Sequence, residues 1–320
     1  MPEGTVDHPP GSALIPMATP ASLEASPTIE ALGLEEHGLS QRALVWRRFR
    51  RHKLAMASLV ALLLIGLAVA LAPVLTPYNF SDQRLDQILQ GPSTKHLLGT
   101  DQLGRDELTR LLYGGRVSLL IGLGVALVSA VVGTLAGAAA GYYGGRLDNF
   151  VMRLTDLFLS IPLLVLLIIA SQATGGHILD IVLVVSLALW MFLARIVRGL
   201  FLSLREKEFV EAARAIGSSN ARIIFRHMLP NALGVIIVNV TLTVAIAILT
   251  ESLLSFLGFG IQPPTPTWGN MLEDGRGLMT IAGWLVWFPG LAILVTVLCV
   301  NFLGDGLRDA LDPTQRRVRA

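Results

Sequence analysis

The sequence from residue 205 to residue 231 reads REKEFVEAARAIGSSNARIIFRHMLPN and lies between two long apolar segments. It is rich in charged residues and strong helix formers. A polar stretch of this length is longer than the connection that two neighbouring membrane spans need. We therefore predict a membrane protein in which this stretch, called the 205–231 loop below, is a handle for a soluble partner.

The remainder of the chain has the composition of a membrane protein. Of its 320 residues 53% are hydrophobic and only 15% are charged, and the apolar residues come in runs. Runs without Asp, Glu, Lys or Arg that have about the length needed to cross ~30 Å of hydrocarbon as a helix are 54–74, 117–141, 157–173, 181–194, 232–250 and 278–303. The fourth is short, and it reaches Leu200 if Arg195 and Arg198 extend to the interface. The sequence thus predicts an all-α protein with six transmembrane helices.

Positive charges predict the orientation, because Lys and Arg near span ends are retained in the cytoplasm. With the N-terminus inside, 19 of the 25 Lys and Arg residues lie on the cytoplasmic side and six lie outside. We expect a multi-pass plasma-membrane protein with both termini cytoplasmic and a permease domain over 46–313. Residues 1–45 are predicted to be a disordered cytoplasmic tail, and 314–320 a short C-terminal tail.

The absence of several motifs limits how this protein could drive transport and argues against an enzyme. No lysine follows a glycine and precedes Ser or Thr, so the chain has no phosphate-binding loop. Ion-driven carriers usually place ionisable groups at membrane depth, whereas here Asp156, Asp180 and Glu251 lie only at the edges of apolar runs. The six histidines lack metal-ligand spacing, and Gly-x-Ser-x-Gly is absent. We predict a transport subunit rather than an enzyme, with no catalytic, cofactor-binding or metal site. A secondary carrier and a membrane scaffold are the competing classes.

Within the 205–231 loop the pattern predicts two short helices joined by a turn. Apolar residues at helical spacing from 208 to 216 would form an exposed stripe, namely Phe209, Ala213 and Ile216. Gly217 can take the left-handed conformation that ends a helix. Ser218 or Ser219 can cap the second helix, which continues until Pro230 interrupts it. Such a segment can lie on lipid headgroups or dock on a protein, and the residues alone leave both open.

One spacing in this loop resembles a known family. Glu-Ala-Ala is followed by three residues, Gly, nine residues and then x-x-Leu-Pro, at positions Glu211, Ala212, Ala213, Gly217, Leu229 and Pro230. This resembles the EAA loop in permease subunits of ATP-binding-cassette importers. His227 stands where that pattern often has Ile, so the sequence departs from the pattern at that one side chain.

The resemblance implies a role for the loop and a set of partners. The loop would contain a coupling helix that seats on an ATPase subunit, with Glu211 helping to dock it, Ala212 and Ala213 permitting close approach, and Gly217 allowing the turn. The implied partners are a second permease, two ATPase subunits that bind the ATP and Mg, and an extracytoplasmic substrate-binding protein. No nucleic acid is expected, and this chain would hold no cofactor and would not itself hydrolyse ATP.

Further segments of the sequence resemble one subfamily of these permeases. The segments that carry this resemblance are 96–106 (HLLGTDQLGRD), 111–116 (LLYGGR), 255–258 (SFLG), 262–264 (QPP), 268–271 (WGNM) and 303–313 (LGDGLRDALDP). They are similar to the second permease of dipeptide, oligopeptide and nickel importers, and the resemblance covers about residues 45–313. It implies half of a translocation pathway for di- and oligopeptides. Import of nickel or another small solute is the alternative.

The outer segments supply candidate contacts with the substrate-binding protein. Two readings are open for the charged residues Asp101, Arg105 and Asp106: contact with such a protein, and pairing with each other. Asp106 can also cap a helix. Trp268 is predicted to anchor at the membrane interface.

Small and polar residues inside the predicted spans can each be interpreted in more than one way. Gly133, Gly137 and Gly141 recur every four residues and form a face that lets helix backbones approach, within the subunit or against a second permease. Polar residues in the fifth run could line a pathway or bond within or between helices, namely Asn239, Thr241 and Thr243.

Overall fold

The structure is a computed structural model that describes residues 41–311, and every regular element in that range is a helix. Of the tail predicted for 1–45, residues 1–40 lie outside the described range, as does the predicted tail 314–320. Residues 41–45 begin a helix. Residues 44–311 belong to one compact unit.

Twelve α-helices occur within residues 41–311. In chain order they are α1 (Gln41–Arg51), α2 (Lys53–Ala70), α3 (Ala72–Leu75), α4 (Glu107–Tyr143), α5 (Gly145–Leu159), α6 (Leu163–Gln172), α7 (Ile178–Arg205), α8 (Glu208–Ala215), α9 (Asn220–Arg222), α10 (Leu229–Phe256), α11 (Trp268–Gly275) and α12 (Trp284–Leu311). A π-helical turn, Ile223–Met228, joins α9 to α10, so that Asn220–Phe256 is one continuous helix of 37 residues.

Five helices are long and apolar enough to cross a membrane: α2, α4, α7, the α9–α10 helix and α12. The third predicted span is not one helix. The pair α5 and α6 bends by 88° between them, at Ser160-Ile161-Pro162. Proline lacks the backbone donor that a continuing helix requires, and it disfavours helical geometry in the residue before it.

The bent pair α5 and α6 nevertheless crosses the bundle once, because α4 and α7 run parallel to each other. Gly133 of α4 lies against Trp190 of α7, and Gly141, two turns later, lies against Arg198. Two parallel helices in one chain require the segment between them to return across the bundle. The all-α membrane fold is confirmed, with five continuous spans and a sixth made of α5 and α6.

The predicted glycine face packs inside the subunit. A Cβ atom on Gly133 would lie 2.7 Å from the Trp190 carbonyl oxygen, and one on Gly141 would lie 2.7 Å from that of Arg198. Both distances are too short for any side chain, so the backbones of α4 and α7 touch where only glycine fits.

Helix ends define two sides of the bundle. A Cβ atom on Gly234, early in α10, would contact Leu311 at the end of α12, and Gly306 of α12 packs against Ala55 at the start of α2. The 205–231 loop therefore lies on the same side as α1 and the end of α12, called the loop side below. The start of α4 and helix α11 lie on the opposite side.

The fourth predicted span extends past its apolar run, because α7 continues to Arg205. Arg195 and Arg198 form ion pairs with Asp156 and Asp148 of α5. One prediction about charge in the spans is wrong. Glu251 is not at the edge of a span. Helix α10 continues past the apolar run to Phe256, which places the Glu251 carboxyl inside it, where neighbouring hydroxyl groups satisfy it.

Candidate coupling site

Helix α8 ends in a turn that requires glycine. Gly217 has φ 76°. Its N–H donates to the Arg214 carbonyl at 2.9 Å, and the Ser218 N–H donates to the Ala213 carbonyl at 3.0 Å. These two bonds are the Schellman motif, in which a left-handed residue satisfies the last carbonyls of a helix. The predicted helix end at Gly217 is confirmed.

The second helix of the loop begins as predicted but does not stop at Pro230. The Ser219 side chain accepts the Arg222 N–H at 3.4 Å and caps α9. The helix then widens by a π turn, in which the Leu229 N–H bonds the Ile224 carbonyl five residues back. Pro230 falls in the first turn of α10. Proline has no backbone N–H, and the π turn shifts the hydrogen-bond register so that no N–H is required at this position.

The loop is fixed to the bundle by apolar packing. Val210 and Ala213 of α8 are buried in one cluster with Phe201 of α7, Tyr142 of α4 and Met228 of the π turn. Helix α8 thus rests on the ends of three spans.

The exposed face of α8 differs from the predicted stripe. Phe209 and Ile216 are exposed, at 40% and 81%, but Ala213 is buried, and Ala212 takes its place beside them. Helical spacing alone allowed either alanine, because Phe209 stands three residues from one and four from the other. Burial of Val210 decides the rotation of the helix.

The motif residues divide into two groups. Those exposed on the loop side are Glu211, Ala212, Gly217 and Pro230, whereas Leu229 is half-buried and Ala213 is buried. The exposed group offers a small, acidic and apolar surface. The other two residues belong to the packing beneath it.

Tyr142 holds the loop and was missed by sequence reasoning. Its hydroxyl donates to the Asn220 side-chain oxygen at 2.8 Å. The Arg214 guanidinium lies 5.6 Å from its ring centroid, and Arg205 donates to its carbonyl at 3.4 Å. Because the partners lie more than 60 residues away in the sequence, no local pattern pointed to this contact.

On the opposite side, Asp101 lies at the centre of a buried charge cluster. Its carboxylate accepts bonds from the guanidinium groups of Arg105, at 2.6 Å, and Arg110. Both arginines also donate to Asp274, at 3.2 and 3.0 Å. Burial raises the pKa of the Asp101 carboxyl, but Arg110 and Arg105 outweigh it and hold the pKa below its usual range. We call these four residues the opposite-side cluster.

Asp106 is the predicted helix cap. Its carboxylate accepts the Thr109 N–H at 2.9 Å and lies 2.8 Å from the His96 ring nitrogen. Asp101, Arg105 and Asp106 are all buried, and Asp101 pairs with Arg105. A contact between these three and a binding protein stays a prediction. Exposed residues of the surrounding segment 84–106 include Leu85, Leu97 and Gln102.

A second buried node joins α4, α10 and α11. Glu251 is 0% exposed and accepts hydroxyl bonds from Ser118 of α4 at 3.1 Å and from Ser255 at 2.7 Å. The Ser118 oxygen in turn accepts the backbone N–H of Trp268 at 3.3 Å. Helix α11 is therefore tied to the end of α10.

The interface anchor predicted at Trp268 is wrong. Its indole is buried, and the indole N–H donates to the Leu111 carbonyl at 3.0 Å. Bonding of this N–H inside the protein removes the reason for a tryptophan to sit in the headgroup region.

The polar residues of α10 bond to their own helix. The Asn239 side-chain nitrogen donates to the Val235 carbonyl at 2.8 Å, and the Thr241 and Thr243 hydroxyls donate four residues back in the same way. Of the readings considered from sequence, the intrahelical one is observed.

Comparisons with known families agree on one class. The family model described as "Binding-protein-dependent transport system inner membrane component" matches residues 133–317. That described as "N-terminal TM domain of oligopeptide transport permease C" matches residues 40–92. The first match covers the 205–231 loop and the last three spans.

Curated relatives cover nearly the whole chain. The oligopeptide transport system permease protein OppC of Mycobacterium tuberculosis is 44% identical over 88% of this chain and 97% of that protein. OppC of Escherichia coli is 45% identical, over 90% and 95%. The dipeptide transport system permease protein DppC of Bacillus subtilis is 42% identical, over 90% of each chain.

Proposed function

The chain belongs to the family of binding-protein-dependent transport system inner membrane components, and on that premise we propose that it forms half of the translocation pathway of an ATP-driven importer of di- and oligopeptides. The resemblance to the second permease of such importers is confirmed by the family matches. Peptide as the cargo is carried over from the printed names of the relatives.

The exposed face of α8 carries the coupling part of the proposal. It presents Phe209, Ala212 and Ile216 to solvent, next to the carboxylate of Glu211. Exposed apolar side chains of this size, on a rigid helix beyond the spans, favour a protein partner. We assign this face to the cleft of an ATPase subunit, which would supply the ATP and Mg.

Transmission of the ATPase movement follows from the packing. When α8 is displaced, the cluster that contains Val210 and Met228 moves the beginning of the α9–α10 helix. At 1.5 Å per residue this helix of 37 residues is about 55 Å long. Its far end is bonded to α4 and α11 through Glu251. If the α9–α10 helix tilted at the loop side, its other end would therefore move as well, because the helix has no break between the two sides.

The remaining partners are proposed from the family. A second permease would cover part of the exposed apolar surface of the spans. A substrate-binding protein would dock on the side opposite the loop, where segment 84–106 exposes Leu85 and Leu97 above the opposite-side cluster.

The orientation is proposed from the charge distribution, with the loop side in the cytoplasm. Reporter fusions near Asp86 and Gly269 should read outside the cell, and fusions near Gly217 and at the C-terminus should read inside. An outside result at Gly217 would remove the basis for ATPase docking.

Reconstitution of the complex tests the transport function. The permease should copurify with an ATPase, and its proteoliposomes should hydrolyse ATP faster when the binding protein carries a di- or oligopeptide. Deletion of the permease should abolish uptake of that peptide. Stimulation by nickel or another small solute, but by no member of a broad peptide panel, would overturn the peptide assignment and leave the importer assignment standing. A permease that transports with no ATPase present would be a secondary carrier.

A further inference from the structure

Helix α1 carries a dense positive charge at the entrance to the first span. Its eleven residues, QRALVWRRFRR, include five arginines and no acidic residue. The helix ends at Arg51. His52 follows with an extended backbone (φ −82°, ψ 93°), and α2 begins at the next residue. Since no linker separates α1 from the span, α1 lies where the chain leaves the membrane.

One face of α1 is fixed to the bundle. Phe49 is buried in a cluster with Ala55 of α2 and Ala310 of α12, and Val45 packs against the same cluster. This contact joins the first and last spans. It also sets the rotation of α1 about its own axis, because Val45 and Phe49 are four residues apart.

The opposite face is exposed and has a specific composition. Trp46, Arg47, Arg50 and Arg51 are all exposed, and their spacing places them on one side of a helix. The indole of Trp46 is 53% exposed, although its ring stacks on Phe49 with the centroids 6.0 Å apart. The exposed face therefore combines three guanidinium groups with one large amphipathic ring held by a buried neighbour.

We propose that this face of α1 binds the headgroups of anionic phospholipids. Guanidinium groups bind phosphate oxygens through paired N–H donors. Tryptophan prefers the boundary between headgroups and acyl chains. A basic amphipathic helix next to a span is attracted to anionic lipid, because both the charge and the apolar contact favour the membrane surface. An acidic protein surface would satisfy the arginines but gives no reason for an exposed indole beside an apolar span.

The test uses the full chain purified with its native lipids. Phosphatidylglycerol and phosphatidylethanolamine retained by the protein are counted by native mass spectrometry. The variant carries Arg47→Gln, Arg50→Gln and Arg51→Gln. The matched control carries Arg316→Gln, Arg317→Gln and Arg319→Gln, the same change of charge near the other terminus. We expect the α1 variant alone to lose its preference for phosphatidylglycerol, by at least roughly five-fold, the size expected for one arginine near a charged surface.

Replacement of the same three arginines by lysine separates charge from packing. Lysine keeps the charge, so the preference should largely return, whereas a variant that merely damages the fold would not be rescued. Equal retention of phosphatidylglycerol by the wild type and the glutamine variant would overturn the proposal.

Quenching of Trp46 provides a second measurement. Brominated phosphatidylglycerol should quench the Trp46 signal, defined as the difference between the wild type and Trp46→Phe, more strongly than brominated phosphatidylethanolamine does. Equal quenching by the two lipids would contradict the proposal. Shielding of Trp46 only after the ATPase subunits are added would assign the face to a protein instead and would also overturn it.

Discussion

The loop side and the opposite side of the bundle are held by opposite kinds of interaction. At the loop side, apolar side chains of α8 pack on three spans, and the charged residue Glu211 faces solvent. At the other side, Arg105 and Arg110 are buried and form ion pairs with the buried carboxylate of Asp101. Apolar contacts can be exchanged for similar ones at small cost, but separating buried ions is expensive. The comparison indicates that the loop end can repack during a cycle, while the opposite end moves as one body.

The largest effect should come from the opposite-side cluster. Asp101→Asn removes the buried carboxylate that pairs with Arg105 and Arg110, and removing one partner from a buried ion pair costs about 3–5 kcal/mol. Both arginines keep the carboxylate of Asp274, which is 24% exposed, so the cost should lie at the lower end of that range. The midpoint of thermal unfolding in detergent should fall by many degrees. Its control is Arg276→Gln, which breaks an ion pair with Glu273 that is largely exposed, so its midpoint should stay near that of the wild type. Equal midpoints for the two variants would show that the cluster does not hold this end.

The next effect should arise at the buried node. Glu251→Ala removes the acceptor of two serine hydroxyls, and an unsatisfied buried polar group costs about 1–3 kcal/mol. Glu251→Gln keeps the shape and one acceptor, so its unfolding midpoint should fall less. If α11 depends on this node, a cysteine placed at Met271, which is buried, should become reactive to a thiol reagent in the alanine variant only. Unchanged reactivity would mean that α11 is held elsewhere.

The cost expected at the end of α8 is comparable for a single position, but it concerns one residue rather than two serine hydroxyls. Gly217→Val forces a branched residue into a left-handed conformation, at about 1–3 kcal/mol. A Cβ at Gly217 or at Gly199 would meet no other part of the molecule within 4 Å beyond its chain neighbours and its own helix, and of these two residues only Gly217 has a positive φ. Gly199→Val in α7 is therefore the control for side-chain bulk. The Gly217 variant should insert normally yet lose ATPase assembly and transport. Wild-type uptake at normal abundance would contradict this role.

The smallest effect on stability should follow Glu211→Lys. The residue is exposed in the first turn of α8, so the reversed charge should cost only about 0.3–1 kcal/mol against the helix dipole. Glu208→Lys places the same charge in the same turn and is the matched control. ATPase assembly should fall for Glu211→Lys and much less for Glu208→Lys. Parallel losses would point to a general charge effect.

The sequence predicted the spans and the turn at Gly217 because each depends on local physics. Uncharged length marks a span, and only glycine fits a left-handed helix end without strain. The break at Pro162 and the π turn before Pro230 show the limit of the same reasoning. One proline bends the chain by 88°, and the other is absorbed by a change of helical register. Which of the two occurs depends on tertiary packing.

The site was predicted in part for a similar reason. The motif located α8, but the choice between Ala212 and Ala213 as the exposed alanine required knowledge of what Val210 packs against. Tyr142 and Asp274 were missed because their partners are distant in the sequence. Contacts of this kind leave no periodic signal.

Binding of the ATPase to the exposed face of α8 is the central claim, and Ala212→Arg tests it most directly. Ala212 is exposed, so a long side chain there should block docking without disturbing the packing below. Thr280→Arg, exposed on the opposite side, is the control. We predict wild-type abundance and unfolding midpoint for both variants, with ATPase subunits lost from the tagged permease, and stimulated ATP hydrolysis reduced to background, for Ala212→Arg alone. Copurification of the ATPase with Ala212→Arg at the wild-type ratio, with normal stimulation, would contradict the account.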